Sequence, residues 1–453
     1  MMKHRISAFL LAALLAVTAA GCSAQEPEDS AGLPESSAGT AVRSEAFYPA
    51  EAGYTDFDGS LVQGWSGWNA DGTFTFQNRN TLTTLSRENQ VLETITLPEE
   101  ALPGSEYSLD RSDDYILALS NPGKMNESYG AVYYTDSGTV CLANLTLFDR
   151  QGNPVRQYPR GQVYAYDEND QKICLLPCPE GETVTDTYEL SVNTLHWLDG
   201  HTAILDCHAW IFLYDFEADS GRILDDMSEI VKHYGKFGVY YGSQMGGVVD
   251  GTYYYLTRRE SDPISGYTLW AADADGAREL LDGQRFWHLF AAKDGLVLVD
   301  DTDPADPESD SRVWYLRTGS TQPTLIWSGD LSLPFTEADQ IAFINWNWSL
   351  DSSVLYSYDP VTGTLSSRDL GEYIQIDGLF TLVRDGSLRY YYSQFKDGER
   401  TSWVYDTATD TTTPLTRFDG GLYVSWLSPD GQYWAEQDPS TDDPRLRVSR
   451  WEY

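Results

Sequence analysis

Basic residues are scarce in this chain. Its 453 residues hold 30 Lys and Arg against 69 Asp and Glu, a formal charge of −39. Such a surface repels nucleic acid and bare anionic lipid, so neither is an expected partner. The charge reads first as solubility in an exposed compartment, and second as attraction for cations or basic partners. Stretches with a helical period are scarce as well. Only one long apolar run exists, Ile6 to Val17, and it is too short to span a bilayer as a mature helix. No linker and no break in composition interrupts the chain from Phe47 to Tyr453. That excludes an obvious second domain.

Aromatic residues and turn formers fill the space. Aromatics make up 13% of the chain, with 30 Tyr and 14 Trp, and such side chains favour strands. Asp-Gly, Asn-Pro and Pro-Gly pairs punctuate the chain densely, the mark of many short strands. In Tyr423–Gln437, YVSWLSPDGQYWAEQ, an alternating strand meets a Ser428-Pro429-Asp430-Gly431 turn and a return strand. Related hairpins follow Trp68-Asn69-Ala70-Asp71-Gly72, Trp197-Leu198-Asp199-Gly200 and Trp348-Ser349-Leu350-Asp351-Ser352. Looser copies lie at Ser108–Asp110, Asp250-Gly251, Asp294-Gly295 and Asp385-Gly386.

Each such hairpin precedes a second kind, whose first strand ends in an aromatic or aliphatic anchor, often followed by Asp. The anchors are Leu85, Phe148, Tyr214, Trp270, Leu316, Tyr358, Tyr405 and Trp451, spaced by 63, 66, 56, 46, 42, 47 and 46 residues. The later spacings match the roughly 40–50 residues of a four-stranded propeller blade. The longer early ones predict insertions near Asn121–Tyr129 and Gly161–Tyr188. The expected fold is therefore all-β: a single β-propeller over residues 43–453, of eight blades by the anchor count. Seven is the alternative, because 327–385 reads ambiguously. The last copy, RLRVSRWEY, supplies only a third strand. A strand near Arg43–Tyr48 is expected to complete that blade and remove two exposed edges.

The start of the chain has its own logic. Lys3, His4 and Arg5 precede the apolar run, as in a secretion signal over residues 1–21. Thr18-Ala19-Ala20-Gly21-Cys22 resembles a bacterial lipobox, although Ala19 stands where Leu is commonest. The resemblance implies cleavage before Cys22 and a diacylglycerol on its thiol, hence lipidation at Cys22. Residues 22–42 are small and acidic, unable to form a core, and read as a flexible tether. Two or three lipid chains would anchor it stably at the extracytoplasmic face of the cell membrane.

The hairpin turns Trp426–Gly431 and their WxxDG-type copies resemble the TolB-like and WD-repeat-like propellers of bacterial envelope proteins. The resemblance covers most of residues 43–453 and implies a fold, since propellers host many activities. Most copies lack the Ser-Pro pair, and no N-terminal helical domain like that of TolB is recognisable.

Chemistry is weakly marked. Tyr241–Gly247 faintly resembles the Gly-x-Ser-x-Gly of hydrolases, but Ser243 follows Gly242 directly and hairpins resume at once. Ser428–Gly431 comes close to an Asp box of sialidases but lacks the spacer. His196, His201 and His208 crowd one hairpin with Asp206 and Cys207, ligands that zinc favours. Strand alternation puts Cys207 and His208 on opposite faces, so surface or core histidines are expected instead. Residues 300–310 form an acidic loop without the order of a calcium hand. Cys174 and Cys178, separated by Leu-Leu-Pro, could pair across a turn, although a flat strand would hold them about 13 Å apart, too far to bridge. Free buried thiols are expected at Cys141, Cys174, Cys178 and Cys207. No catalytic, cofactor or metal residue is assigned. The function expected is a non-catalytic platform binding an envelope protein or a cell-wall glycan. The alternative is a glycan-active hydrolase with two carboxylates in the channel.

Overall fold

In the computed structural model the described residues are 40–43 and 66–452. Short interruptions break the second range, the longest being 330–340. Residues 1–39 lie outside them, so the signal segment, Cys22 and most of the tether carry no structural account.

Among the described residues the regular structure is almost entirely strand. The exceptions are a 3-10 turn, Glu99–Ala101, and a helix, Ser228–Tyr234. No helix among them is long and apolar enough to cross a membrane. The strands form eight antiparallel sheets of three or four strands and two separate hairpins. The first sheet joins Ser66–Trp68, Phe74–Asn78, Thr81–Leu85 and Val91–Thr96. The second joins Tyr107–Arg111, Tyr115–Ser120, Leu145–Asp149 and Pro154–Gln157. The third joins Thr194–Trp197, Thr202–Asp206, Trp210–Asp215 and Ser220–Asp226. The fourth begins with Gly242–Val249 and Thr252–Arg258. Each of the eight sequence anchors falls in a different sheet, one strand in from its outer edge.

The Asp that follows so many anchors has a local reason. Asp149 accepts the amides of Gln151 and Asn153, Asp215 those of Glu217 and Ala218, and Asp406 those of Ala408 and Thr409. A short carboxylate closes the turn where the backbone has no ladder partner. The anchors themselves fill the core: Leu85, Phe148, Tyr214, Leu316, Tyr358 and Tyr405 are all buried. Burial of one such side chain stabilises the fold by about 1.5–3 kcal/mol. The Ser428 hydroxyl accepts the Tyr433 amide at 2.9 Å and so pins the hairpin that opens the last sheet. Residues 429–432 of that turn lie outside the described set.

Sheets pack on their neighbours in sequence order. Leu82 and Ile95 of the first sheet share a cluster with Leu109, Ile116 and Phe148 of the second. The second, third and fourth meet through Leu147, Ile204, Trp210 and Tyr255. Leu256 and Leu298 continue the series between the fourth and the fifth (strands within 288–329), and Val313 and Phe343 between the fifth and the sixth (strands within 341–369). Tyr390 donates to the Ser357 hydroxyl, which joins the seventh to the sixth. Phe74, Phe76 and Leu85 of the first sheet pack with Ala435, Leu446 and Val448 of the last. Asn89 seals that contact with both backbone groups of Val448, at 3.0 and 2.6 Å.

Two expectations shift in detail. The strand that completes the last sheet is Thr40–Arg43, paired with Ser449–Glu452. It starts earlier than the Arg43–Tyr48 expected, and residues 44–48 lie outside the described set. The early insertions are two hairpins, Ala131–Tyr134 with Val140–Ala143 and Gln162–Tyr166 with Lys172–Leu175. The first sits inside the second sheet's sequence, just beyond Asn121–Tyr129.

Candidate binding site

The first strands of the second and third sheets border a cavity of about 1000 Å³. Ser108, Leu109 and Asp110 line it from one strand, and Thr194, Leu195 and His196 from the other. The inserted hairpins bring Tyr129 and Tyr164 to its edge. Asn144 holds those insertions in place. This buried side chain takes a positive φ of 59°. It donates to the Tyr129 and Gly161 carbonyls at 2.7 and 2.9 Å and accepts the Gly161 amide at 2.9 Å.

Behind the cavity lies a buried polar knot. Asp206, at the end of its strand, is 4% exposed. Its carboxylate accepts the Ser243 hydroxyl at 2.5 Å, the Tyr253 hydroxyl at 2.6 Å and the His208 amide at 2.8 Å. Three donors offset the cost of burying that charge. His208, at a positive φ of 62°, meets the Ser243 carbonyl through Nδ1 at 2.8 Å. This knot fastens the third sheet to the fourth. The His196 ring lies 5.2 Å from that of Tyr253, and its Nε2 is buried without a partner. Burial holds the His196 imidazole below its ordinary 6.5, against the opposing pull of Asp206.

The histidines and cysteine marked in the sequence do not converge. His196 and His208 reach the cavity, whereas His201 sits on the turn at the far end of the hairpin, 3.6 Å from Asp199. Cys207 is fully buried. Among the described residues no group of three or more His, Cys, Asp or Glu could hold a metal ion. The Ser243 hydroxyl donates to the Asp206 carboxylate, and the residue lies in a ladder strand. In the acidic loop, Asp300 is bound by Arg312 at 2.8 and 2.6 Å and by the Trp314 indole at 2.9 Å. Residues 303–309 lie outside the described set. Cys141, Cys174 and Cys178 are half-buried and in no disulfide among the described residues.

No protein-family model matches the chain, and no curated protein does. Among solved structures it is similar to dipeptidyl peptidase 4 of Porphyromonas gingivalis, with a TM-score of 0.54 at 14% identity. That match covers 86% of this chain and spans 58% of the peptidase. Such a likeness, on top of successive four-stranded meanders that pack each on the next, decides the architecture. The fold is a β-propeller. Other similar structures are the Dos1 propeller (TM-score 0.48, 10% identity, 90% of this chain and 95% of that one) and TolB from Acinetobacter baumannii (0.31, 16%, 57% and 67%). These identities speak to fold and not to activity.

In this propeller the cavity walls are the first strands of two neighbouring sheets and the loops beside them. Tyr129, Tyr164, Asn193 and Asn144 carried no sequence mark. The one available signal was the pair of long early anchor spacings, which located the insertions that supply Tyr129 and Tyr164.

Proposed function

We propose that the chain is a lipoprotein whose propeller acts as a non-catalytic binding platform outside the cell membrane. Its anchor is the lipidated Cys22, and residues 23–39 tether the domain. The propeller is read as a ring of eight blades. The pairing of Thr40–Arg43 with the final strand and the packing of Phe74 and Phe76 on Val448 support that reading.

The observation that carries the binding reading is the lining of the large cavity. Ser108, Ser120, Asn121, Asn193 and Thr194 offer hydrogen bonds, and Tyr129 and Tyr164 offer flat apolar faces. Among the described residues that line it, Asp110 is the only acid. Its Oδ1 is already bonded to the Trp197 indole at 3.1 Å and the Arg111 amide at 2.7 Å. Glycoside hydrolysis needs two facing carboxylates. Uncharged donors and acceptors with aromatic walls suit a glycan or an extended peptide.

A glycan-active enzyme remains the second reading because a neighbouring cavity of about 730 Å³ carries two acids, Glu99 and Glu106. Burial first, then Glu99, pushes the Tyr107 phenol beside them up to about 12. The test is capture from native envelope with residues 38–453, beside a cell-wall glycan array. A reproducible partner without product release supports the platform. Product release that Glu99→Gln or Glu106→Gln abolishes sinks it. Separately, Cys22→Ala should move the protein from the detergent phase to the aqueous phase of a Triton X-114 partition.

A further inference from the structure

Six arginines of this acidic chain are matched to carboxylates. Arg156 meets Asp219 at 2.9 Å, Arg278 meets Asp273 at 2.6 Å, Arg312 meets Asp300 at 2.6 Å and Arg389 meets Asp406 at 2.7 Å. Arg259 and Arg368 pair with Asp225 and Asp410. Arg111 and Arg150 are different. Among the described residues neither has a carboxylate within ion-pair distance, and both line one cavity of about 610 Å³. The Arg111 Nη1 is buried with no hydrogen-bond partner. Arg150 donates only to the Asp113 carbonyl, at 2.6 Å. Burial first, then the charge of Arg150, lowers the Arg111 guanidinium from its ordinary range. The charges of Glu93, Asp113 and Asp71 pull the other way.

Four acids share the cavity, and two are already engaged. Asp71 accepts the Thr73 amide at 3.0 Å and its hydroxyl at 2.7 Å. Asp199 accepts the His201 and Thr202 amides at 2.9 and 2.6 Å. Glu93 is exposed at the rim and Asp113 lies on the turn beside Arg111. The remaining walls include the indoles of Trp68 and Trp197.

We propose that Arg111 and Arg150 form a binding site for the carboxylate of a small ring-shaped ligand, whose body lies against Trp68 and Trp197. A guanidinium presents paired N–H donors in the plane that a carboxylate accepts. A single negative charge relieves the repulsion between the two arginines. A cavity of this size holds a body as well as the anion, and indole faces suit a flat or sugar-like ring. The site stands apart from the larger cavity and does not depend on the platform reading.

The test is calorimetric titration of the folded domain with glucuronate, glucose and inorganic phosphate at low salt. Glucuronate should bind and glucose should not. Arg150→Gln, on a half-buried turn, should weaken glucuronate at least tenfold without loss of folding, as judged by circular dichroism. Arg111→Gln should do the same, and added salt should weaken binding further. Lys232→Gln, on the helix Ser228–Tyr234 and in the lining of neither cavity, should leave it unchanged. Glucuronate binding that survives Arg150→Gln overturns the proposal. Phosphate binding as tight as glucuronate overturns the carboxylate assignment, and no binding of glucuronate overturns the site.

Discussion

The two cavities are built from the same two strands. Tyr107–Arg111 and Thr194–Trp197 give Ser108, Asp110, Thr194 and His196 to one, and Arg111 and Trp197 to the other. One end is uncharged and aromatic, and the other is charged. Between them stands the bond from the Trp197 indole to Asp110. Burial raises the Asp110 carboxyl, while the Arg111 amide and that indole pull it back. The difference teaches that a propeller strand can serve two chemistries along its length. Adjacent residues on it, Asp110 and Arg111 or His196 and Trp197, reach different mouths.

The sharpest way to break this contrast is to loosen one end alone. Asp206→Ala leaves the buried Ser243 and Tyr253 hydroxyls and the His208 amide without their acceptor. Losing three hydrogen bonds to a buried carboxylate should cost about 3 kcal/mol, read by urea denaturation. Arg150→Gln, by comparison, should stay within about 0.5 kcal/mol. Equal effects would mean that the Asp206 knot does not hold the wall of the larger cavity.

Trp197→Phe removes the partition and leaves the Asp110 carboxylate one donor poorer. About 1–2 kcal/mol of stability should be lost. Because the indole also walls the arginine cavity, glucuronate affinity should fall in the same variant. An unchanged affinity would place the ring body elsewhere.

A smaller effect separates the two ends by pH. His196 titrates below its ordinary 6.5 in the folded chain. As pH falls through 6.5 the unfolded chain takes up the proton first. Stability therefore falls from there until the folded imidazole is itself protonated. His196→Gln should flatten the melting temperature between pH 7 and 5. His288, also held low by burial, keeps a residual slope of the same sign. Identical slopes in variant and wild type would show that His196 is not protected from the proton.

The smallest effect concerns the turns. The Thr73 hydroxyl, then its amide, holds the Asp71 carboxyl below its ordinary 3.8. Thr362 holds Asp359 low in the same way, through its side chain and the Val361 amide. The stability these groups contribute is present above 3.8 and lost as pH falls below it. Asp359→Asn should give a shallower acid limb than wild type in a melting series from pH 5 to 2.

The repeat was legible in the sequence for a physical reason. A strand that ends at a tight turn needs a short acceptor for its amides, so Asp149, Asp215, Asp359 and Asp406 mark their strands by composition. The anchors mark them by burial. The strand Thr40–Arg43 was harder to place, because four residues, TAVR, carry no period of their own. The cavities were not legible. Arg111 and Arg150 meet because the first and third strands of a meander run the same way and end on the same side. Each follows an aspartate, Asp110 and Asp149, and that repeated pair was the only trace in the sequence. Ser108, Asn193 and Tyr164 meet only through the packing of one sheet on the next, which leaves no spacing to find.

The pairing of Thr40–Arg43 with Ser449–Glu452 also sets an order of events during synthesis. A chain made from its N-terminus exposes the Thr40–Arg43 edge long before the strand that will cover it exists. Closing so long a loop is the slowest kind of contact to form. A nascent or prematurely ended chain therefore carries an open strand edge, a ready handle for chaperones and proteases. Once Ser449–Glu452 are made, their pairing with Thr40–Arg43 covers that edge and takes it out of reach of both.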